Sequence, residues 1–234
     1  MRIYCIFDKK ENIIPFLQKN QRKIFKEFIG SILKNIKFGD FKNYTFGLEI
    51  EDRICFIFST GYRKVFNAFC DELSKRKRIK INEEFLDILN IYFERKREVK
   101  HERVLFKTIS DVILEDDSAP LSNTDKRFIT PIEDLQYFNE VLNKSFKKRF
   151  REVKKKDPPS SIKLYFPQKD EMYLLGLDKP LFDGYVKIEG KTLRCFRGYF
   201  WLRGEIESLQ FVYDYGFCDF TSEGFGCLKI ITQK

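Results

Sequence analysis

The order of regular segments in the first 93 residues constrains the fold more than any other feature of this chain. Apolar periodicity alternates between strand and helix patterns. The segments follow the order β-α-β-β-α-β at residues 2–7, 18–34, 44–50, 54–59, 62–75 and 85–93. This is the order of the ferredoxin-like unit, an antiparallel sheet with its helices on one face. We therefore predict an α+β fold for this part of the chain.

The second half shows a similar alternation, although no sequence repeat is detectable. A polar, proline-terminated linker begins at 115–120, and a hairpin of 104–109 with 112–114 is expected to extend the first unit. The later segments are a helix at 131–154, strands at 162–166, 172–176, 185–188 and 193–202, a helix at 205–215 and a strand at 227–231. We predict two domains, at residues 1–116 and 123–234.

The charge balance favours a polyanionic partner. The formal net charge is +9, and the isoelectric point of the sequence is about 9.1. RNA or DNA is the first expectation, and general solubility charge is the alternative. The 26 Phe and 11 Tyr residues serve either a core or stacking on unpaired bases.

Cysteine and histidine usage argues against a metal site. None of the six cysteines forms a C-x-x-C pair and only one histidine is present, so we predict no zinc, no cofactor and cysteines buried as small apolar residues. This composition suits a reducing cytoplasm. No apolar run reaches 18 residues, and charges at Asp8, Lys9 and Lys10 argue against a signal peptide, so we expect no membrane association.

Two helices carry clustered cations. The polar face of the 18–34 helix holds Arg22, Lys23, Lys26, Gly30 and Lys34. Like charges on one face repel each other unless an anion lies against them, which favours phosphate binding. The end of the 131–154 helix, including Lys148 and Arg151, is also crowded with cations. It contacts phosphates or simply places solvated cations at a helix C-terminus.

Residues 194–203 interleave cations, including Arg197, with aromatic residues. This composition is typical of a platform for single-stranded RNA, but it also describes an ordinary half-buried strand. The single histidine, His101, lies in a charged stretch, where an exposed loop or strand-end position is more common than a general base.

Residues 216–226, here called the glycine segment, hold three of the 12 glycines between a helix pattern and a strand pattern. Glycine permits positive φ and lets backbone N–H groups approach phosphates. A loop that binds nothing is the alternative. The segment lacks the P-loop pattern, and it is not a dinucleotide fingerprint because a strand follows it rather than a helix.

The pattern Gly216-x-x-x-x-x-Ser222-x-Gly224-Phe225-Gly226 before an apolar strand resembles the C-terminal signature of the Cas6 family. These are CRISPR repeat-cleaving endoribonucleases of the repeat-associated RNA-binding superfamily. The family pattern is close to G-x-G-x-x-x-S-x-G-F-G, with Cys218 at the second glycine here. The run 44–48 (YTFGL) is similar to the family's F-T-[FY]-S segment, and other family pieces follow in order along nearly the whole chain.

The resemblance implies two tandem ferredoxin-like (RRM-like) domains that bind CRISPR repeat RNA and cut it once without a metal. The 2′-hydroxyl of the RNA attacks the adjacent phosphate and leaves a 2′,3′-cyclic phosphate and a 5′-hydroxyl. The resemblance also implies that the protein could be a subunit of a multi-subunit CRISPR effector complex. We expect a monomer or a homodimer.

Many family members use a histidine after the first helix, a tyrosine on that helix and a lysine before the F-T-[FY]-S segment. Residues 1–100 contain no histidine, and only the lysine has a clear counterpart, Lys42. We therefore expect Lys42, with Lys26 and Lys34, to stabilise phosphate charge. The expected RNA contacts are Lys23, Lys37, Lys148, Arg151, Arg197, Gly216, Thr221, Ser222, Gly224 and Gly226. A catalytically inactive RNA-binding subunit and an unrelated two-domain RNA-binding protein remain the alternatives.

Overall fold

The computed structural model describes residues 1–34, 43–81, 84–94, 98–119, 127–188 and 190–234. These residues form two five-stranded sheets and a small two-stranded sheet. Within the described ranges, no helix is long and apolar enough to cross a bilayer.

The first sheet has the strand order of a ferredoxin-like unit. Its elements are β1 (Arg2–Phe7), α1 (Ile14–Leu33), β2 (Thr45–Ile50), β3 (Ile54–Ser59), α2 (Arg63–Ser74), β4 (Arg78–Ile81) and β5 (Glu84–Glu94). The order across the sheet is β2-β3-β1-β5-β4, and Cys5 in the central strand β1 lies opposite Phe56 and Ile91. The prediction for this half is confirmed. The short edge strand β4 was missing from it.

The apolar stripe of α1 fixes this helix on the sheet. Phe25, Phe28 and Ile29 are buried, and the Phe25 ring stacks on Phe56 of β3 with centroids 4.5 Å apart. The helix begins at Ile14 rather than residue 18 because Pro15 lies in its first turn, where its missing N–H costs nothing. Burial of one stripe leaves the cationic face of α1 toward solvent.

The second sheet repeats the same topology. Its elements are β6 (Arg103–Thr108), β7 (Leu114–Glu115), β8 (Phe128–Ile129), α3 (Leu135–Lys154), β9 (Lys163–Tyr165), α4 (Lys169–Leu174), β10 (Leu181–Ile188), β11 (Lys191–Arg203), α5 (Ile206–Tyr215) and β12 (Leu228–Gln233). The order β10-β11-β6-β12, with α3 and α5 as the crossing helices, is again ferredoxin-like. The prediction of two tandem units is confirmed.

Two strand predictions are wrong. The hairpin of 104–109 with 112–114 does not extend the first unit, because β6 pairs with β11 and β12 in the second sheet. The second sheet therefore begins at Arg103, ahead of the predicted start at residue 123. Residues 172–176 form no strand; α4 begins at Lys169 because Gln168 and Glu171 make a reciprocal capping box.

The two units meet at a buried arginine. Arg2 of β1 is 1% exposed, and its guanidinium lies 3.4 Å from the centroid of the Tyr213 ring on α5. Its Nη2 donates to the Tyr213 carbonyl at 2.7 Å, and its Nη1 donates to the Leu228 carbonyl of β12. Ser59 of β3 donates to the Asp214 carbonyl at 2.9 Å. The first sheet is thereby tied to two elements of the second unit.

We predict that Arg2→Met destabilises the protein by about 2–5 kcal/mol, because two buried carbonyls lose their donor at about 1–3 kcal/mol each. Urea unfolding measures the change. Arg53→Met is the matched control: Arg53 is 57% exposed and 3.8 Å from Asp8, so its removal costs about 0–1 kcal/mol. Equal unfolding midpoints for the two variants would contradict this role of Arg2.

Candidate nucleic-acid interface

The glycine segment is packed between the two units. Gly224 has φ +84°, and a Cβ there would lie 2.6 Å from the Phe46 ring of β2. Gly226 has φ +67°, and a Cβ there would lie 2.0 Å from the Phe217 carbonyl oxygen. Both positions combine a backbone conformation that favours glycine with a contact that leaves no room for a side chain. Gly224 is required for close packing of the segment against the first unit, and Gly226 for close packing within the segment.

The glycine N–H groups bind the protein itself. Gly216 donates to Val212 O at 2.9 Å, Gly224 to Thr221 O at 3.1 Å and Gly226 to Asp111 O at 2.8 Å. These three N–H groups are therefore already bonded inside the protein, and the predicted RNA contacts of Gly216, Gly224 and Gly226 stay predictions. Ser222 is half-buried, and its contact with RNA stays a prediction.

Arg149 of α3 donates hydrogen bonds to the start of the glycine segment. Its guanidinium donates to the carbonyls of Tyr215 at 3.1 Å and Gly216 at 3.2 Å, and also to the carbonyl of Cys218. It also donates to Thr221 Oγ1 at 3.3 Å. Burial lowers the pKa of Arg149. Thr221, predicted to bind RNA, is 4% exposed and its hydroxyl is already bound to Arg149.

Asp111 joins the two units through an ion triad. Its carboxylate is 3% exposed and accepts from Arg22 Nη1 of α1 at 2.9 Å. It also accepts from Arg197 of β11, through Nε and through Nη2 at 3.0 Å. Burial opposes ionisation of Asp111, but hydrogen bonds from Arg197 and Arg22 outweigh it and hold the pKa of the carboxyl below its usual range. Arg197 remains 60% exposed beside this bond.

Lys26 is held against the glycine segment. Its Nζ lies 2.7 Å and 2.6 Å from the two carboxylate oxygens of Glu223. One turn earlier on α1, the Arg22 guanidinium lies 4.5 Å from the centroid of the Phe225 ring. The cationic face of α1 therefore runs along the glycine segment. We call this contact, from Arg22 and Lys26 to Glu223 and Phe225, the α1–loop junction.

The other predicted cations of α1 are exposed. Lys23 and Lys34 make no ion pair with any residue in the described ranges. Gly30, between them, would leave an added Cβ in open space. Lys37 and Lys42 lie outside the described residues, so their predicted roles stay predictions.

The two cations of α3 have acidic partners elsewhere. Lys148 lies 3.3 Å from Asp117, and Arg151 pairs with Asp157 after the helix. Both side chains are more than 60% exposed, at 65% and 61%. Neither of these two ion pairs involves a residue of the α1–loop junction.

The expected stacking platform at 194–203 is wrong for most of its aromatic residues. Phe196, Phe200 and Trp201 are 1%, 0% and 1% exposed, so they belong to the interior. Among the aromatic residues of this run, only Tyr199 is half-buried, with Lys107 Nζ 5.8 Å from its ring centroid. The alternative of an ordinary half-buried strand is confirmed. His101 is exposed before β6, also as expected.

Three residues of this region were missed by the sequence predictions. Arg149 lies three residues after Phe146 and one before Phe150, so helical spacing places it on the buried face of α3. Glu223 lies inside the glycine segment, and its charge is the only sequence feature that could have indicated a role. Asp111 follows a strand with no motif around it, and its role depends on two distant arginines.

Five of the six cysteines are buried, as predicted, and Cys55 is half-buried. Burial raises the pKa of Cys195 to about 12 and the pKa of Cys227 to about 11. In the part of the chain that the structure describes, no three His, Cys, Asp or Glu side chains are grouped to hold a metal ion.

Comparison with known proteins fixes the family. The model for the C-terminal part of the CRISPR-associated protein Cas6 matches residues 94–230, more than half of the chain. The chain belongs to the Cas6 family. The Cas6 match begins at the end of β5, covers the glycine segment and extends through the second sheet as far as Ile230 in β12. No curated protein sequence is significantly similar to this one.

Solved structures share the whole Cas6 fold. A Cas6-related protein of Pyrococcus furiosus has a TM-score of 0.72 at 18% identity, covering 100% of this chain and 99% of that one. A RAMP protein described as binding different RNA substrates has a TM-score of 0.75 at 20% identity, covering 99% and 100%. A CRISPR-associated Cas6 protein has a TM-score of 0.75 at 16% identity, covering 99% of each chain. At these identities the likeness shows the fold alone.

The low pKa of Asp111 predicts an acid-sensitive contact between the units. A carboxyl whose pKa is depressed on folding stabilises the protein fully above its unfolded pKa of about 4, and this stabilisation is lost as the pH falls further. Asp111→Asn should cost about 1–3 kcal/mol at pH 7, and the gap to wild type should shrink between pH 5 and pH 2.

Urea unfolding at stepped pH measures this gap. Asp52→Asn is the control, because Asp52 is exposed in the turn between β2 and β3 and should give no pH-dependent gap. A gap for Asp111→Asn that stays constant down to pH 2 would contradict the assignment.

Proposed function

We propose that this chain is a CRISPR precursor-RNA processing endoribonuclease that binds repeat RNA and cuts it once by metal-independent attack of a 2′-hydroxyl. The observation that carries the proposal is the Cas6-family match together with the α1–loop junction. A structural neighbour described as binding different RNA substrates supports an RNA ligand. The net charge of +9 favours the same class of partner.

The RNA backbone follows the exposed face of α1 in this proposal. Lys23 and Lys34 contact phosphates, since they are exposed cations without an ion pair in the described ranges. Lys26 and Lys34, with Lys42, stabilise the charge that develops on the pentacoordinate phosphate. Lys37, Arg197 and Ser222 hold flanking backbone, and the surface of the glycine segment borders the RNA.

Lys148 and Arg151 form a second, weaker contact region for the same RNA. Both are exposed, and their ion pairs with Asp117 and Asp157 are open to solvent, so a phosphate competes with them at little cost. Cytoplasmic location and assembly with an effector complex belong to this proposal as well.

A second candidate is a repeat-RNA-binding subunit that does not cut. The favouring observation is that residues 1–100 contain no histidine, so the usual general base of many family members is absent. Loss of a general base typically slows a reaction by about 10²–10⁴-fold. Binding without cutting is the behaviour that this candidate predicts.

Incubation with repeat RNA in EDTA separates the two. We expect single-site cutting of all-ribose repeat RNA, products ending in a 2′,3′-cyclic phosphate and no cutting of RNA with a 2′-deoxy at the scissile nucleotide. Tight binding without cutting would support the second candidate. Cutting of both RNAs would contradict the 2′-hydroxyl mechanism, and equal affinity for random RNA would contradict repeat recognition.

A further inference from the structure

The α1–loop junction contains a carboxylate in contact with an ammonium group, and residues 1–100 contain no histidine that could serve as a base. Glu223 of the glycine segment and Lys26 of α1 are in direct contact, with both oxygens of the carboxylate bound to one ammonium group. We infer that Glu223 is the general base of RNA cutting in this chain and that Lys26 is the matching general acid. The inference rests on the proposed function and names the residues that move its protons.

The position of Glu223 is fixed by its backbone. Its N–H donates to Phe220 O at 2.9 Å, and Gly224, the next residue, is locked against the Phe46 ring. Arg149 binds the carbonyls at the start of the same segment. A base held on such a turn keeps its geometry without reorganisation during the reaction. Glu223 is also accessible, with 31% of its side chain exposed, and Lys26 is 47% exposed.

Other acid–base groups near the junction are unsuited to the task. Tyr44 is 8% exposed, and burial, aided by the charge of Glu223, raises its pKa to about 12. Burial raises the pKa of Cys195 to about 12 as well. Asp111 is 3% exposed and committed to two arginines. Glu223 is the carboxylate that combines exposure with a neighbouring proton donor.

Two arginines lie on the same side of the junction as the pair's helix neighbour. Arg22, 30% exposed, lies one turn before Lys26 on α1, and Asp111 binds both Arg22 and Arg197, which is 60% exposed. These guanidinium groups supply positive charge that attracts phosphodiesters to the surface around the junction.

The proton balance closes within the pair. The Glu223 carboxylate accepts the proton of the 2′-hydroxyl while the 2′-oxygen bonds to the adjacent phosphorus. The bond from phosphorus to the 5′-oxygen breaks, and the 5′-oxygen takes a proton from the Lys26 ammonium. Glu223 is then protonated and Lys26 neutral. Transfer of one proton from Glu223 to Lys26 along their hydrogen bond restores both groups, so no metal, water or co-reactant is consumed.

Single-turnover cutting of repeat RNA tests the assignment. We expect Glu223→Gln to lower the rate by about 100-fold or more, since a general base typically contributes about 10²–10⁴-fold. The affinity for 2′-deoxy repeat RNA should stay within about threefold, because the amide keeps the shape of the side chain. Glu72→Gln is the matched control: Glu72 is 33% exposed and pairs with Lys75 on α2, so its variant should cut at the wild-type rate.

Chemical rescue separates a catalytic role from a structural one. Glu223→Ala should regain rate in proportion to added formate, and sodium chloride at the same ionic strength should give no gain. Lys26→Ala should lose rate as well. The double variant Glu223→Gln/Lys26→Ala should be little worse than the poorer single variant, because the two residues act as a unit.

Three results would overturn the inference. One is cutting by Glu223→Gln at the wild-type rate while wild-type enzyme cuts, which leaves the proposed function intact. Another is a rate loss without formate rescue and with a parallel loss of affinity, which makes Glu223 a binding or structural residue. The last is a wild-type protein that binds repeat RNA but never cuts it, which removes the proposed activity together with its base.

Discussion

A buried carboxylate with two arginine partners joins the two units of this protein beside the glycine segment. Asp111 accepts from Arg22 of the first unit and Arg197 of the second, and its own carbonyl accepts from Gly226. A charge in so low a dielectric is stable only if it is paired and hydrogen-bonded. Because its partners come from both units, the positions of α1, β11 and the glycine segment depend on one another. The placement of Lys26 against Glu223 follows from this arrangement.

The glycines of the segment are packed and hydrogen-bonded within the protein. Gly224 and Gly226 let the segment lie against Phe46 and Phe217, and their N–H groups are satisfied inside the protein. Arg149 binds the carbonyls of the same segment from α3. The result is a turn with fixed backbone that carries Ser222 and Glu223 at its surface. A loop can thus be diagnostic of a family because its glycines are needed for packing inside the protein.

The sequence predicted much of the fold because its helices and strands have clear apolar periodicity. The two ferredoxin-like units, α1 and the final strand follow from that periodicity. Strand β6 was assigned to the wrong sheet because its pairing partners, β11 and β12, lie about a hundred residues away, and pairing leaves no local pattern. The segment at 172–176 was misassigned because its apolar run outweighed the capping box of Gln168 and Glu171.

The site was less predictable than the fold. The cations of α1 were visible from charge patterning, since four of them share one helix face. Their partners were not, because Asp111 and Glu223 reach α1 only after the two units dock. For the aromatic residues of β11, the sequence pattern was misleading. Their interleaving with arginine suggested stacking on bases, whereas the pleat of the strand points Phe196 and Phe200 into the core.

Lysine footprinting tests most directly whether RNA lies along α1 beside the glycine segment. The full chain, free and bound to repeat RNA with a 2′-deoxy at the scissile nucleotide, is acetylated briefly and the modified lysines are quantified by mass spectrometry. We predict that RNA protects Lys23, Lys26 and Lys34, while the exposed Lys64 of α2 and Lys80 of β4 react equally in both states. Unchanged reactivity of the α1 lysines at saturating RNA would contradict this placement of the RNA.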